Sequence, residues 1–250
     1  MSRMAGHSIF ANKPLNFAHR GFTAKAPENT LAAFREAVEL GVDGIELDVR
    51  VCKSGELVVF HDATLARMTD GRGFVKNKTL DELNCFRIRS ADGMYEEKIP
   101  TLAEVIENLG ERTILNVEIK TNGLPKAQIE RKVVEVLRKY QMQERAIVSS
   151  FNPLVIRRIR KLDREILTGF LIDKSFNVRR SEIFLTKLTG AQAIHLDKSL
   201  ATESFLKKIR DLGYYALVWS VNDPQRLKQL SDLGVEGIIT DRPDLLKEIK

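Results

Sequence analysis

The sequence predicts an α/β protein, a (β/α)8 TIM barrel with a short insertion after the second strand. Three observations predict it. Eight β-rich segments, 15–18, 44–50, 113–119, 146–150, 166–172, 193–196, 214–221 and 237–240, alternate with stretches of helical period. The dipeptides Leu40-Gly41, Leu109-Gly110, Leu212-Gly213 and Leu233-Gly234 recur where a helix ends just ahead of a strand. The length, 250 residues, suits such a barrel as one domain. One domain over residues 1–250 is therefore expected, with the insertion at 51–100. The alternative is a doubly wound open sheet, but no Gly-rich phosphate fingerprint follows the first strand.

The first dozen residues read as a tail or a cover for the barrel bottom. Leu15 to Ala18 is the first strand and leads to His19-Arg20-Gly21. Pro27-Glu28-Asn29-Thr30 opens a helix, with Leu31, Phe34 and Val38 on its apolar face and Gly41 as its stop. The second strand is Gly44-Ile45-Glu46-Leu47-Asp48-Val49-Arg50, in which alternation places Glu46 and Asp48 on one face. After Lys53-Ser54-Gly55-Glu56 the chain turns back into 57–61, the return arm of a hairpin. With Ser54-Gly55 as a two-residue turn, Lys53 pairs with Glu56 and Asp48 falls opposite His61. A one-residue slip turns His61 away.

Residues 62–100 are irregular, with a short helical piece at 80–83, and read as an excursion that covers a site. Thr101-Leu102-Ala103-Glu104 matches a capping box, and the helix it starts ends at Gly110. Strand 113–119 delivers Asn116, Glu118 and Lys120 on one face. Helices 126–140, 153–161, 181–188, 202–212 and 224–233 then alternate with the remaining strands, and a short C-terminal helix closes the chain.

Composition narrows the function classes. Apolar residues make up 43% and are spread throughout, which argues against disorder. The net charge of +6 suits attraction to phosphates, anionic lipid or nucleic acid, and equally a merely basic soluble surface. The densest basic stretch, Arg157-Arg158-Ile159-Arg160-Lys161, has helical spacing and reads as a solvated face; no nucleic-acid-binding motif accompanies it. Cys52 and Cys85 make neither a disulfide framework nor a cysteine metal site, and a reduced compartment fits. Residues 1–7 lack an apolar signal core, and no run is long enough to span a bilayer, so a cytoplasmic protein without stable membrane insertion is expected.

A barrel's active site lies at the C-terminal ends of its strands. There the sequence puts His19 and Arg20, Glu46 and Asp48, Glu118 and Lys120, Ser149 and Ser150, His195 and Asp197, Trp219 and Asn222, and Asp241. Glu46, Asp48 and Glu118 are three hard oxygen ligands suited to Mg2+ or Ca2+. The alternative is a metal-free cluster neutralised by Arg20 and Lys120. His19 and His61 are acid/base candidates, since imidazole titrates near neutrality; a histidine/carboxylate transition-metal site is the rival reading. Arg20 and Lys120 can hold a phosphate or act as counter-ions to the acids. Trp219 can pack on a substrate or plug the barrel mouth. His195 reads as structural, and His7 carries no signal.

These residues fall in motifs that resemble the glycerophosphodiester phosphodiesterases. The motifs are His19-Arg20-Gly21, Pro27-Glu28-Asn29-Thr30, Glu46-Leu47-Asp48-Val49, Val59-Phe60-His61-Asp62, Glu118-Ile119-Lys120, Ser149-Ser150-Phe151 and Thr240-Asp241-Arg242-Pro243. They occur in the family's order from about residue 15 to 245, and the chain looks like the short cytoplasmic bacterial branch. The resemblance implies hydrolysis of glycerophosphodiesters to sn-glycerol 3-phosphate and an alcohol. It implies metal ligands Glu46, Asp48 and Glu118, an acid/base pair His19 and His61, phosphate contacts from Arg20 and Lys120, and Trp219 lining the substrate end. It also implies attack of the substrate's neighbouring hydroxyl on phosphorus, followed by opening of a cyclic phosphate by water. The small-molecule diester is the expected partner, with no nucleic acid. A lysophospholipase D and a non-catalytic phosphate-ligand-binding barrel are the competing functions. Cys52-Lys53-Ser54-Gly55 departs from the family's usual Thr-x-Asp-Gly turn, which bears on the hairpin and not on the chemistry.

Overall fold

The structure, a computed structural model, describes residues 8–11, 13–90, 92–109, 113–121, 128–174 and 186–249. Its strands are β1 (Leu15–His19), β2 (Gly44–Val51), β3 (Leu57–Val59), β4 (Ile88–Arg89), β5 (Glu96–Glu97), β6 (Ile114–Ile119), β7 (Ala146–Ser150), β8 (Leu167–Ile172), β9 (Ala193–Asp197), β10 (Tyr215–Trp219) and β11 (Gly237–Thr240). The labelled helices are α1 (Leu31–Leu40), α2 (Leu80–Leu83), α3 (Leu102–Leu109), α4 (Gln128–Lys139), α5 (Pro153–Leu162), α6 (Glu203–Asp211), α7 (Pro224–Asp232) and α8 (Pro243–Ile249).

One sheet runs β1-β11-β10-β9-β8-β7-β6-β2-β3, and β1 also pairs with β2. That last pairing, with Phe17 beside Gly44 and His19 beside Glu46, closes the barrel. Within this sheet, among the described residues, β3 alone is antiparallel and hangs from β2, which leaves the eight parallel strands the sequence predicts. The strands are buried almost end to end because helices cover their outer faces. Inside, the residues that share parity with the site residues plug the lower barrel: Phe17, Ile147, Leu167, Ala193, Leu217 and Ile239. Phe17 lies where a side chain on Gly44 would sit, 2.3 Å from its built Cβ, so Gly44 makes room for the plug. Ile9 and Phe10 join this cluster from a single 3-10 turn at Ser8–Phe10, a bottom cover for the barrel.

Local chemistry sets the helix ends. Thr30, Asn152, Thr202 and Asp223 each accept a backbone N–H as N-cap, and Pro153 and Pro224 occupy first-turn positions. Gly41 ends α1 in the left-handed conformation, φ 81°. The box at Thr101 and Glu104 forms reciprocally, at 3.2 and 2.7 Å. Of the predicted helix 181–188, residues 186–188 are described and are helical; the rest, with residues 126–127 of the fourth helix and the stop at Gly110, lies outside the described residues. Among the described residues no helix is long and apolar enough to cross a membrane.

The hairpin differs from expectation. Val49 pairs with Val59 and Val51 with Leu57, so Phe60, not His61, falls opposite Asp48. The cause is the turn. Gly55 N donates to Cys52 O at 3.1 Å and Cys52 N to Glu56 O at 3.1 Å, with Gly55 at φ 106°. This is a three-residue loop with a left-handed glycine, one residue longer than the two-residue turn assumed. The insertion then wraps the return arm: Val58, Phe60, Leu65, Val75, Leu83, Ile88 and Ile99 form its own core. The two-residue strands β4 and β5 inside it were not foreseen.

Candidate active site

Strand alternation builds the acidic floor. Glu46 and Asp48 on β2 and Glu118 on β6 face the barrel interior, and the parallel register sets Asp48 beside Glu118 and Glu46 beside Asn116. All three acids are buried, and carboxylate oxygens from the three lie within 4.8 Å of one another. Lys120 Nζ is 2.5 Å from Glu118 Oε1 and 3.1 Å from Asp48 Oδ1; Arg20 Nε is 3.3 Å from Asp48 Oδ2. Burial raises the Asp48 carboxyl, but the charges of Lys120 and Arg20 outweigh it and hold it at about 2. Glu46 goes the other way. Burial, then the Asp48 charge, push it up to about 8. Burial also raises Glu118, against Lys120.

Backbone turns aim the basic groups. Arg20 sits at φ 57°, and its N–H donates to Glu46 Oε2 at 3.1 Å while Nη1 donates to Glu28 Oε1 at 3.0 Å. Gly21 follows at φ 88° with no space for a side chain, its built Cβ lying 2.7 Å from Ala33 Cβ. Asn29 is also left-handed, φ 57°, and clasps Asp48: Nδ2 donates to Oδ2 at 2.9 Å, and Oδ1 accepts from the Asp48 N–H at 3.3 Å.

Each site histidine has one ring nitrogen tied to a carboxylate. His19 Nδ1 lies 2.7 Å from Asp241 Oδ1, and Asn222 Nδ2 donates to the other Asp241 oxygen at 2.6 Å. His19 Nε2 lies 3.9 Å from Glu46 Oε2. Burial disfavours the charged His19 ring, but the Asp241 bond and the Glu46 charge raise it overall. His61 follows the end of β3, where the chain bends, so it reaches the site despite the altered register. Arg50 Nε and Nη2 both donate to the His61 carbonyl, at 2.9 and 2.6 Å, and hold that bend. His61 Nδ1 lies 2.7 Å from Asp62 Oδ1. Burial lowers the His61 ring, assisted by Lys120, against Asp48 and Asp62.

His19, Arg20, Glu46, His61, Glu118, Lys120 and Trp219 line one cavity of about 180 Å3; Asp48 lies beneath, 1% exposed. So seven of the eight expected residues share a wall, and the eighth braces two of them. Trp219 stands edge-on to Phe151, ring centres 5.6 Å apart, and donates its N–H to His195 O at 3.2 Å. The apolar end of the cavity is Phe151, Leu171, Trp219 and Ile239. Arg20 and Lys120 give the cavity positive groups that can meet an anion, and two imidazoles on its wall are of the type that moves protons near neutrality.

A sequence profile of the glycerophosphoryl diester phosphodiesterase family matches residues 19–245. The chain belongs to this family. It is accordingly an enzyme of the phosphodiesterase class. A glycerophosphodiester phosphodiesterase of Caldanaerobacter subterraneus subsp. tengcongensis is 36% identical, over 94% of this chain and 96% of the relative. One from Bacillus altitudinis is 34% identical, over 94% and 97%. Among solved structures, an Oleispira antarctica phosphodiesterase in complex with the product sn-glycerol-3-phosphate superposes with a TM-score of 0.88, at 28% identity, over 96% of this chain and 98% of that one.

Within this family frame, sequence reasoning left four residues without a role. Asn29, Asp62 and Asp241 lie in the quoted motifs, and Arg50 is the penultimate residue of β2; Asn29 contacts Asp48, Asp62 and Arg50 contact His61, and Asp241 contacts His19. Ser150 and Asp197, counted among strand-end polar residues, turn elsewhere: Ser150 Oγ donates to Ile119 O, and Asp197 Oδ1 accepts from Ser199.

His195 is fully buried and is not part of the cavity wall. Burial alone lowers it to about 3, so it is neutral at pH 7. Its ring lies where a side chain on Gly169 would sit, with Nε2 2.3 Å from the built Cβ. Gly169→Ala is expected to destabilise the protein by ~1–3 kcal/mol through overpacking, read as a lower Tm. In a His195→Ala background that cost should disappear; an equal fall in both backgrounds would rule out this contact as its cause.

Proposed function

We propose that this chain hydrolyses glycerophosphodiesters to sn-glycerol 3-phosphate and an alcohol, with a divalent cation, Mg2+ or Ca2+, held by Glu46, Asp48 and Glu118. The observation that carries the reading is one cavity in which a buried acidic cluster meets two carboxylate-anchored histidines and two cations. The product bound in the Oleispira antarctica relative supports it.

The donor set fits a hard cation. Among the described residues, Lys120 makes ion pairs with Asp48 and Glu118, and Arg20 pairs with Asp48 and also serves Glu28. Burial, and after it the neighbouring Asp48 charge, drive the Glu46 carboxyl up to about 8, so its ionised form gains from a nearby cation. Oxygen-only donors suit Mg2+ or Ca2+ over softer metals. The bound ion supplies Lewis-acid charge to the phosphoryl oxygens.

The chain's own residues do the rest. Arg20 and Lys120 bind the phosphate oxygens, and Trp219 packs on the glycerol end. One of His19 and His61 takes the proton of the glycerol hydroxyl next to the diester, whose oxygen bonds to phosphorus. The other gives a proton to the departing alcohol oxygen as its bond to phosphorus breaks. Water then bonds to phosphorus in the cyclic phosphate as the bond to the attacking glycerol oxygen breaks, with the same pair taking the water proton and returning one to that oxygen. Asp241 and Asp62 hold the two rings. We place this chemistry in one domain, residues 1–250, in the cytoplasm, where the free Cys52 and Cys85 fit a reduced setting.

A panel of glycerophosphocholine, glycerophosphoethanolamine, glycerophosphoinositol and lysophosphatidylcholine, each with Mg2+ or Ca2+, tests the substrate class. Turnover of the water-soluble diesters ahead of the lysolipid is expected. Preference for the lysolipid would favour a lysophospholipase D, and no turnover of any would favour a binding protein.

A further inference from the structure

Arg67 is outside the cavity wall, on the first stretch of the insertion, and it makes two forked contacts. Its Nε and Nη2 donate to Asp62 Oδ2 and Oδ1 at 2.6 and 3.1 Å. Its Nη2 and Nη1 donate to Glu28 Oε1 and Oε2 at 2.7 and 3.1 Å. Both acceptors are already engaged at the site. Asp62 Oδ1 is 2.7 Å from His61 Nδ1, and Glu28 Oε1 takes Arg20 Nη1 at 3.0 Å. One unbroken path thus runs His61, Asp62, Arg67, Glu28, Arg20, and joins the insertion to the loop after β1.

We propose that Arg67 is a positioning residue for the reaction. It fixes Asp62, and through it the His61 ring, against Glu28 and the Arg20 guanidinium. The planar fork is what allows one side chain to hold two carboxylates at once; an ammonium cannot reproduce that geometry. Arg67 is 46% exposed on its side chain, and exposed ion pairs contribute little to stability. Its effect therefore falls on turnover and not on folding. Outer contacts that orient metal-bound imidazoles are worth ~10–100-fold when removed, and the same scale is expected for an imidazole that must be aimed to move a proton. The proposal rests on the reading of His61 as a proton-transfer group.

The experiment measures kcat, KM and Tm for Arg67→Ala, Arg67→Gln and Arg67→Lys on glycerophosphocholine with saturating divalent ion. Arg67→Ala and Arg67→Gln are expected to lose ~10–100-fold in kcat at nearly unchanged Tm, with Arg67→Lys recovering only part. In an Asp62→Asn background, Arg67→Ala should cost clearly less than it does alone. Wild-type kcat in Arg67→Ala and Arg67→Gln, or full additivity with Asp62→Asn, overturns the proposal. His61→Ala separates the two levels. If it is inactive while Arg67→Ala is unaffected, only the positioning role fails. If His61→Ala turns over normally, the proton-transfer reading fails and the positioning role falls with it.

Discussion

His61→Ala is expected to lose turnover by ~10²–10⁴-fold while the barrel stays folded. The ring is held by Asp62 at one nitrogen and lies in the cavity wall, 32% exposed, outside the apolar clusters that hold the fold. Its removal takes away a proton carrier and almost no buried apolar surface, so Tm should hardly move. His19→Ala should behave alike, since Asp241 anchors that ring in the same way. Steady-state hydrolysis of glycerophosphocholine and a thermal melt check both. Wild-type turnover by either variant would remove that histidine from the mechanism.

The second large effect concerns the acids, and the three should not behave identically. Asp48→Asn removes the counter-charge of Lys120 and weakens the clasp with Asn29, so both activity and stability should drop; breaking a buried pair costs ~3–5 kcal/mol. Glu46→Gln should abolish activity yet stabilise the metal-free protein at neutral pH, because Glu46 is destabilised there by burial and by Asp48. The sign follows from linkage. A carboxyl whose folded value is about 8 takes up a proton on folding, so its contribution is present below the ordinary carboxyl range and fades as pH rises toward 8. Metal-free wild type should lose Tm over that window more steeply than Glu46→Gln. Parallel curves would show that Glu46 is not under this strain. Glu118→Gln should lose activity as well, with Lys120 remaining paired to Asp48.

Most of the barrel was legible because its signals are local and repeated. The capping box at Thr101 and Glu104, the stop at Gly41 and strand alternation each act within a few residues of sequence. Parity alone brings Glu46, Asp48 and Glu118 to one floor once the strands are parallel and adjacent. The hairpin register was not legible. Lys53-Ser54-Gly55 suits a two-residue and a three-residue loop alike, and the choice moves every opposed pair by one. That His61 nevertheless reaches the cavity is due to the end of β3 at Val59 and to the Arg50 grip on its carbonyl, neither of which a strand pattern encodes. The anchoring shell was hidden for a different reason. Asn29 meets Asp48 across 19 residues and Arg67 meets Glu28 across 39, and no periodicity links them. His195 shows the reverse case: a histidine in mid-strand whose ring fills the space beside a glycine on the adjacent strand β8.

The most direct test of the account is product analysis of glycerophosphocholine by phosphorus NMR, with enzyme stripped of metal and then supplied with Mg2+ or Ca2+. The stripped enzyme should give no product, and restoring the ion should give sn-glycerol 3-phosphate with free choline. Full turnover by verified metal-free enzyme, or phosphocholine and glycerol as the products, would contradict it.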